Sequence, residues 1–261
     1  MMKKILISVI MFIAGLFLIT GTVYSAENIT FHVSPELVKI GIQFNGITLH
    51  VSGTIPSDCE AVVRIIGHSQ NLNLKKKGKA MGLLWMNLGK IEIKGVPDIM
   101  LVYPSKALEQ LSKNDKTTWK KLGIGFESLE DTAEVLPESE NKSKIFKEFI
   151  KLEASIDLYA SIPGALTYGD VSGSVKSFKA EIKLPSNVPH DGFKAEVYAV
   201  KDGKIAAKDV KAVKVKLIGI PAKISSLAFN HGTLYGVIAV LIAILAGIIV
   251  GVVFKESGGA H

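Results

Sequence analysis

Much of the chain between residues 26 and 220 alternates between apolar and polar positions. Residues 47–52 read Ile-Thr-Leu-His-Val-Ser, the pattern of a strand with one buried face. Residues 61–66 are apolar on both faces except at Arg64, as in a central strand. The alternation recurs in short segments, which include 29–33, 38–42, 178–184, 193–199 and 213–217. We therefore expect a mainly β domain, and specifically an immunoglobulin-like β-sandwich.

The period changes to that of helices between about residues 105 and 155. Apolar side chains in 145–152 fall on one side of a segment whose other side carries lysine and glutamate, which predicts an amphipathic helix. A shorter helix is predicted just after Ser105, whose hydroxyl is placed to cap it. The sandwich is therefore expected to carry a helical insert.

Two long apolar blocks stand near the ends of the chain. An uncharged stretch that follows Lys3 and Lys4 leads to small residues around position 25, which predicts a signal peptide over 1–25 or an uncleaved anchor. Residues 232–254 contain no charged residue, and about 20 such residues in a helix cross the hydrocarbon core. A transmembrane helix is therefore predicted there.

The positions of the lysines set the expected orientation. The N-terminal lysines should stay in the cytoplasm, so that residues 26–220 are exported, 221–231 form a juxtamembrane linker and 255–261 form a cytoplasmic tail. A cleaved or an uncleaved N-terminal segment gives the same result. The expected location is the cytoplasmic (inner) membrane, with the β domain in the periplasm or outside the cell.

Small residues recur every four positions along the predicted transmembrane helix. Such a stripe lets a second helix approach closely, and it predicts association with another integral membrane protein. The alternative is the general abundance of Gly and Ala in membrane helices. The residues of the stripe are Ala239, Ala243, Gly247 and Gly251.

The charged residues add one candidate binding feature. The chain has 261 residues and a net charge of +7, with its densest basic cluster around Gly78, followed by Trp85. Four cations around a glycine turn, near an indole, could hold an anion such as sulfate or an acidic partner surface. The alternative is a hairpin tip kept soluble by charge. The lysines of the cluster are Lys75, Lys76, Lys77 and Lys79.

The sequence lacks the common motifs that mark catalytic sites. The sequence has no G-x-S-x-G, no H-E-x-x-H and no phosphate-binding glycine loop, and its lone Cys59 cannot form an intramolecular disulfide or a cysteine-built zinc site. His32 and His50 lie on the polar faces of neighbouring predicted strands, but a third metal ligand is missing from the pattern. We therefore expect no catalytic site, no metal and no cofactor. With a single arginine and no reading motif, nucleic acid is not an expected partner.

Several sequence blocks, in their order along the chain, resemble a bacterial family of transmembrane proteins first grouped from alphaproteobacteria. The blocks that carry the resemblance span 76–79, 82–87, 95–98, 122–126, 184–189 and 230–236. The resemblance implies an exported β domain with a C-terminal anchor. The family has no established activity, so it supplies no catalytic residues. Its loose association with sulfite-exporter-type permeases implies an anion permease as a candidate partner.

Three functional hypotheses follow. The leading one is a non-catalytic, single-pass membrane protein whose exported domain is a binding or accessory module that acts with another membrane protein. The second, from the lysine cluster and Trp85, is an anion-binding sensor or chaperone for a permease. The third is an enzyme whose residues converge only in the folded chain.

Overall fold

The computed structural model of the chain describes residues 29–80, 83–137 and 141–255. The predicted signal peptide and residues 256–261 of the predicted tail lie outside this part. The strands are β1 Thr30–Ser34, β2 Leu37–Ile40, β3 Ile47–Pro56, β4 Glu60–Ile66, β5 Ser69–Ala80, β6 Leu84–Pro97, β7 Met100–Pro104, β8 Glu134–Leu136, β9 Tyr159–Ser161, β10 Leu166–Ser172, β11 Val175–Leu184, β12 Phe193–Lys201 and β13 Lys204–Leu217. The helices are α1 Leu108–Leu111, α2 Lys116–Lys121, α3 Glu127–Thr132, α4 Lys142–Ser155, α5 Gly219–Asn230 and α6 Gly232–Lys255.

The strands form three sheets. A four-stranded sheet has the order β1-β3-β11-β10, a six-stranded sheet has the order β2-β13-β12-β4-β7-β9, and a three-stranded sheet has the order β5-β6-β8. The β2–β13 and β7–β9 pairs are parallel, and the other pairs are antiparallel. The expectation of a mainly β protein with a helical insert and one C-terminal apolar helix is confirmed.

A continuous hydrophobic core joins the two larger sheets. In β11, alternate residues from Phe178 to Leu184 are buried, as the period of two predicts. A hydrogen bond also links the sheets, because the backbone N–H of Ala61 in β4 donates to the hydroxyl of Tyr168 in β10 over 2.8 Å. The middle strands β4 and β12 are buried on both faces, as expected for central strands.

The second face of the six-stranded sheet is covered by the helical insert. Helix α4 buries Phe146 and Phe149, which confirms the predicted amphipathic helix. The rings of Phe126 and Phe149 each lie 5.5 Å from the ring of Tyr159 in β9, measured between centroids. The predicted capping role of Ser105 is wrong. Helix α1 begins at Leu108, with Ala107 at the N-cap and no side-chain cap bond.

Candidate interaction surfaces

Helix α6 has the length and composition of a membrane-spanning helix. Its segment Gly232–Phe254 has 23 residues, an 18-residue window of it has a mean hydropathy of 3.2, and none of that window is buried against the rest of the described chain. In water this exposed apolar surface would be strongly unfavourable, whereas in a bilayer it faces hydrocarbon. By length and composition, α6 can cross a membrane once.

The predicted stripe of small residues lies on α6, and all four of its residues are exposed. Within the described part of the chain, apart from the chain neighbours and the nearby backbone of α6 itself, no atom lies within 4 Å of the position that a Cβ atom would take at Gly247 or Gly251. The stripe is therefore uncovered in the single chain, and whether another helix packs there stays a prediction.

The segment that the sequence predicts as a linker forms helix α5. A single residue, His231, separates it from α6, and the His231 backbone N–H still donates to Leu227 at 3.0 Å. Ile220, Ile224 and Phe229 are exposed on α5, and Lys223 is the one charged residue of the helix. By composition, α5 resembles a segment that lies along a bilayer surface, and it continues into a helix long and apolar enough to cross a membrane.

The predicted lysine cluster lies on strand β5, not around a turn. The strand continues through Gly78 to Ala80, and the chain reverses between Ala80 and Leu84. The expectation of four cations around a glycine turn is therefore wrong. In the register of the β5–β6 pair, Lys79 is opposite Trp85 and Lys75 is opposite Lys90.

The pleat of the strand divides these lysines between two faces. Successive residues of a strand point to opposite faces, so Lys75, Lys77 and Lys79 share one face with Lys90, while Lys76 lies on the other. The strongest local repulsion is between Lys75 and Lys90, because like charges directly opposite each other destabilise a pair of strands. The sequence pattern does not group Lys90 with the other lysines, because its place opposite Lys75 depends on the position of the turn.

The distal part of the β5–β6 pair also exposes large apolar side chains. The exposed fraction is 85% for Leu83, 72% for Leu84 and 51% for Met86. The apolar face of the same pair is buried nearer the sheet, where Ile93 is fully buried. We call residues 69–80 and 83–97 the ribbon and its exposed apolar residues Leu83, Leu84 and Met86 the ribbon tip.

A buried charge cluster fixes the six-stranded sheet to the insert. Arg64 donates to Glu196 Oε2 from Nε at 2.8 Å and from Nη2, and Nη2 also donates to the Tyr198 hydroxyl at 2.7 Å. Its Nη1 donates to the backbone carbonyls of Leu122 and Gly123 in the insert. In the sequence, Arg64 interrupts an apolar strand, but no local pattern indicates its partner Glu196, which is 132 residues away.

The carboxylate of Glu196 is held ionised by this cluster. Burial by itself raises the pKa of a carboxyl group, but the Arg64 guanidinium and the hydrogen bonds from Tyr198 and Lys208 outweigh it. The pKa of Glu196 is therefore lowered. Lys208 Nζ lies 3.0 Å from Glu196 Oε1 and is partly exposed, so the cluster reaches the surface at one point. The polar groups of the cluster form hydrogen bonds and ion pairs with one another, so the role of the cluster is structural.

The remaining polar features do not converge on one point. A surface groove of about 650 Å³ lies between α3 and α4 and is lined by glutamates, lysines, Phe126 and Phe146. The Nδ1 atom of His50 lies 3.9 Å from Oε1 of Glu181, whereas His32 in β1 is paired with Ser52 in β3. Among residues 29–80, 83–137 and 141–255, no three His, Cys, Asp or Glu side chains are grouped so that they could hold a metal ion.

Comparison with known families gives one match. The model of a family described as "Putative transmembrane protein (Alph_Pro_TM)" matches residues 28–256, which is most of the chain. No curated protein matches the chain.

Proposed function

We propose that this chain, which belongs to the transmembrane protein family matched over residues 28–256, is a single-pass membrane protein with a non-catalytic binding or accessory module. The observation that carries the proposal is the composition of α6, an unburied apolar helix of 23 residues that follows a folded β domain. A helix of this kind holds the domain at a membrane surface, where its exposed faces can meet another membrane component.

We propose further that the two larger sheets form an immunoglobulin-like sandwich. Their shared core, their mainly antiparallel strands and the hydrogen bond between Ala61 and Tyr168 support this assignment. The domain would lie in the periplasm or outside the cell, with the C-terminus in the cytoplasm. The lysines at the two chain ends and the charge-free span of α6 support this orientation.

The partner in this proposal is another integral membrane protein that packs on the small-residue stripe of α6. If so, replacing Ala243 with leucine lowers the yield of the cross-linked complex severalfold in native membranes, because the larger side chain keeps the helices apart. The measurement is photo-cross-linking of the full chain in its native membrane, followed by identification of the captured protein.

Leu245→Phe is the matched control for this experiment. Residue 245 lies on the opposite side of α6 from the stripe, since residues two apart on a helix point about 200° apart, and it is exposed. The added bulk there should leave the yield unchanged. Equal losses in both variants, or no loss in either, would argue against a partner on the stripe.

A second candidate function is an anion-binding sensor or chaperone for a permease, such as one of the sulfite-exporter type. The observation that favours it is the shared face of Lys75, Lys77, Lys79 and Lys90. Clustered ammonium groups attract anions, and an anion bound there would relieve their repulsion. This candidate requires sulfate or sulfite in solution to occupy the face without help from a membrane.

A further inference from the structure

The ribbon leaves the six-stranded sheet at the end that faces the membrane anchor. Strands β4 and β12 are antiparallel, and so are β12 and β13, so β4 and β13 run toward the same end. β13 leads at this end into α5 and α6, and β4 leads into the ribbon. The register places Ile66, the last residue of β4, at the level of Ala212, five residues before the end of β13.

The ribbon continues the pairing of β4 with β7. Beyond the last pair, Ile66 with Met100, the Gly67 N–H donates to the Ile99 carbonyl and the Asp98 N–H donates to the His68 carbonyl, each over 2.9 Å. The first pair of the ribbon, Ser69 with Pro97, follows at once. The hydrogen-bonded ladder is therefore unbroken from the sheet into the ribbon.

The ribbon is long enough to reach a bilayer that α6 spans. From Gly67 to Ala80 its strand extends at most about 43 Å, at roughly 3.3 Å per residue. The five residues from Ala212 to the end of β13 cover about 17 Å, and α5 adds at most about 18 Å before α6 begins.

The composition of the distal ribbon fits an anionic bilayer surface. Residues 75–90 contain five lysines and no acidic residue. Within the described chain, no carboxylate lies within ion-pair distance of Lys75, Lys76, Lys77 or Lys90. The nearest acid in the sequence is Glu92, on the lysine face closer to the sheet. The ribbon tip and the five lysines of residues 75–90 together have the composition of a segment that enters the headgroup layer. The aliphatic stems of the lysines can extend from there to the lipid phosphates.

We propose that the ribbon is a second membrane contact of this protein. Leu83, Leu84 and Met86 of the ribbon tip enter the headgroup region of the bilayer that α6 spans. Lys75, Lys76, Lys77, Lys79 and Lys90 bind the phosphates of anionic phospholipids. The domain is then held at two separate points, the helix and the ribbon, which fixes its orientation on the membrane.

The test uses the full chain in nanodiscs of brominated phosphatidylcholine, with or without phosphatidylglycerol. Brominated lipids quench tryptophans that enter the bilayer, and Trp85 belongs to the ribbon, whereas Trp119 is buried in the domain. We expect quenching in discs with phosphatidylglycerol that is absent from a Trp85→Phe variant. No quenching of Trp85 in these discs would overturn the proposal.

Three variants separate the contributions of the tip and the lysines. Leu83→Asn with Leu84→Asn changes two exposed side chains and should abolish quenching. The fourfold variant Lys75→Gln, Lys76→Gln, Lys77→Gln and Lys90→Gln keeps only Lys79 and should strongly weaken the dependence on phosphatidylglycerol, because each lysine near an anionic surface contributes about fivefold to binding. The matched control makes the same change at exposed lysines of the insert, Lys113, Lys116, Lys144 and Lys147, and should behave as the wild type. Loss of quenching in this control would overturn the assignment to the ribbon lysines.

A last arm distinguishes the bilayer from a free anion. Sodium sulfate, sulfite or phosphate is titrated into phosphatidylcholine discs at constant ionic strength. The proposal predicts no saturable change in emission. If the emission changes saturably, and the fourfold Gln variant at residues 75, 76, 77 and 90 loses this change, the ligand is a free anion. That result would overturn the bilayer proposal without affecting the role of α6 as the anchor.

Discussion

Arg64→Ala is expected to lower the free energy of unfolding of the domain by about 3–5 kcal/mol, the cost of breaking a buried ion pair by removing one partner. The substitution leaves the Glu196 carboxylate buried with its guanidinium partner gone. It also leaves the carbonyls of Leu122 and Gly123 without their Arg64 donor, so the insert loses two of its hydrogen bonds to the sheet. Urea denaturation of the full chain in a non-ionic detergent, followed by tryptophan emission, measures the change.

Two comparisons distinguish this effect from an ordinary loss of charge. Lys106→Ala breaks the exposed pair with Glu60, 2.7 Å apart, and should cost less than about 1 kcal/mol. Arg64→Met combined with Glu196→Leu removes both buried charges and should recover much of the stability that Arg64→Ala loses. If the double variant is as unstable as the sum of its single variants, the two residues are not energetically coupled.

The same cluster gives a pH dependence with a defined sign. The pKa of Glu196 is lowered in the folded chain from its ordinary value of 4.5, so its contribution to stability is complete above that value. The contribution is lost as the pH falls through the lower, folded-state pKa. The wild type should therefore lose more stability on acidification than Glu196→Gln, and parallel curves for the two would contradict the shift.

Ending the chain after His231 is expected to make the protein almost completely extractable from membranes at alkaline pH, because α5 and the ribbon can then hold it only at the bilayer surface. The truncation removes α6, whose apolar length is the reason for membrane insertion. In a Gram-negative expression host, osmotic shock at high salt, which weakens the lysine contacts with lipid, should release the shortened chain, since the domain is predicted to be exported and its signal peptide cleaved. Fractionation and immunoblotting measure the distribution.

A chain that ends after Phe254 is the control for the truncation. It keeps the whole apolar segment of α6 and should stay with the membrane after alkaline extraction. If the chain ending at 231 also resists alkaline extraction, the N-terminal segment is an uncleaved anchor. If the chain ending at 231 is found in the cytoplasm, the predicted orientation is wrong.

The local sequence patterns predicted element types better than positions of turns. Alternation in 178–184 predicted β11, and the apolar side of 145–152, which carries Phe146 and Phe149, predicted α4. Both predictions were possible because the spacing of apolar residues along the chain depends directly on which face of the element is buried. The prediction of a turn at Gly78 was wrong, since glycine permits a turn without requiring one. Moving the reversal beyond Ala80 changed which lysines face each other and added Lys90 to their face.

By itself, the sequence determined the apolar segment that is long enough to span a membrane, the alternation of the main strands and the identity of Arg64 as a charge inside an apolar strand. These features depend on neighbouring residues and on the length of an uncharged run. Only the tertiary structure decided that Arg64 meets Glu196, 132 residues later in the chain, and that the ribbon leaves the sheet on the same side as α6. Strand order and register arise from contacts between segments that are distant in the chain, and no local pattern encodes which distant segment will be the neighbour.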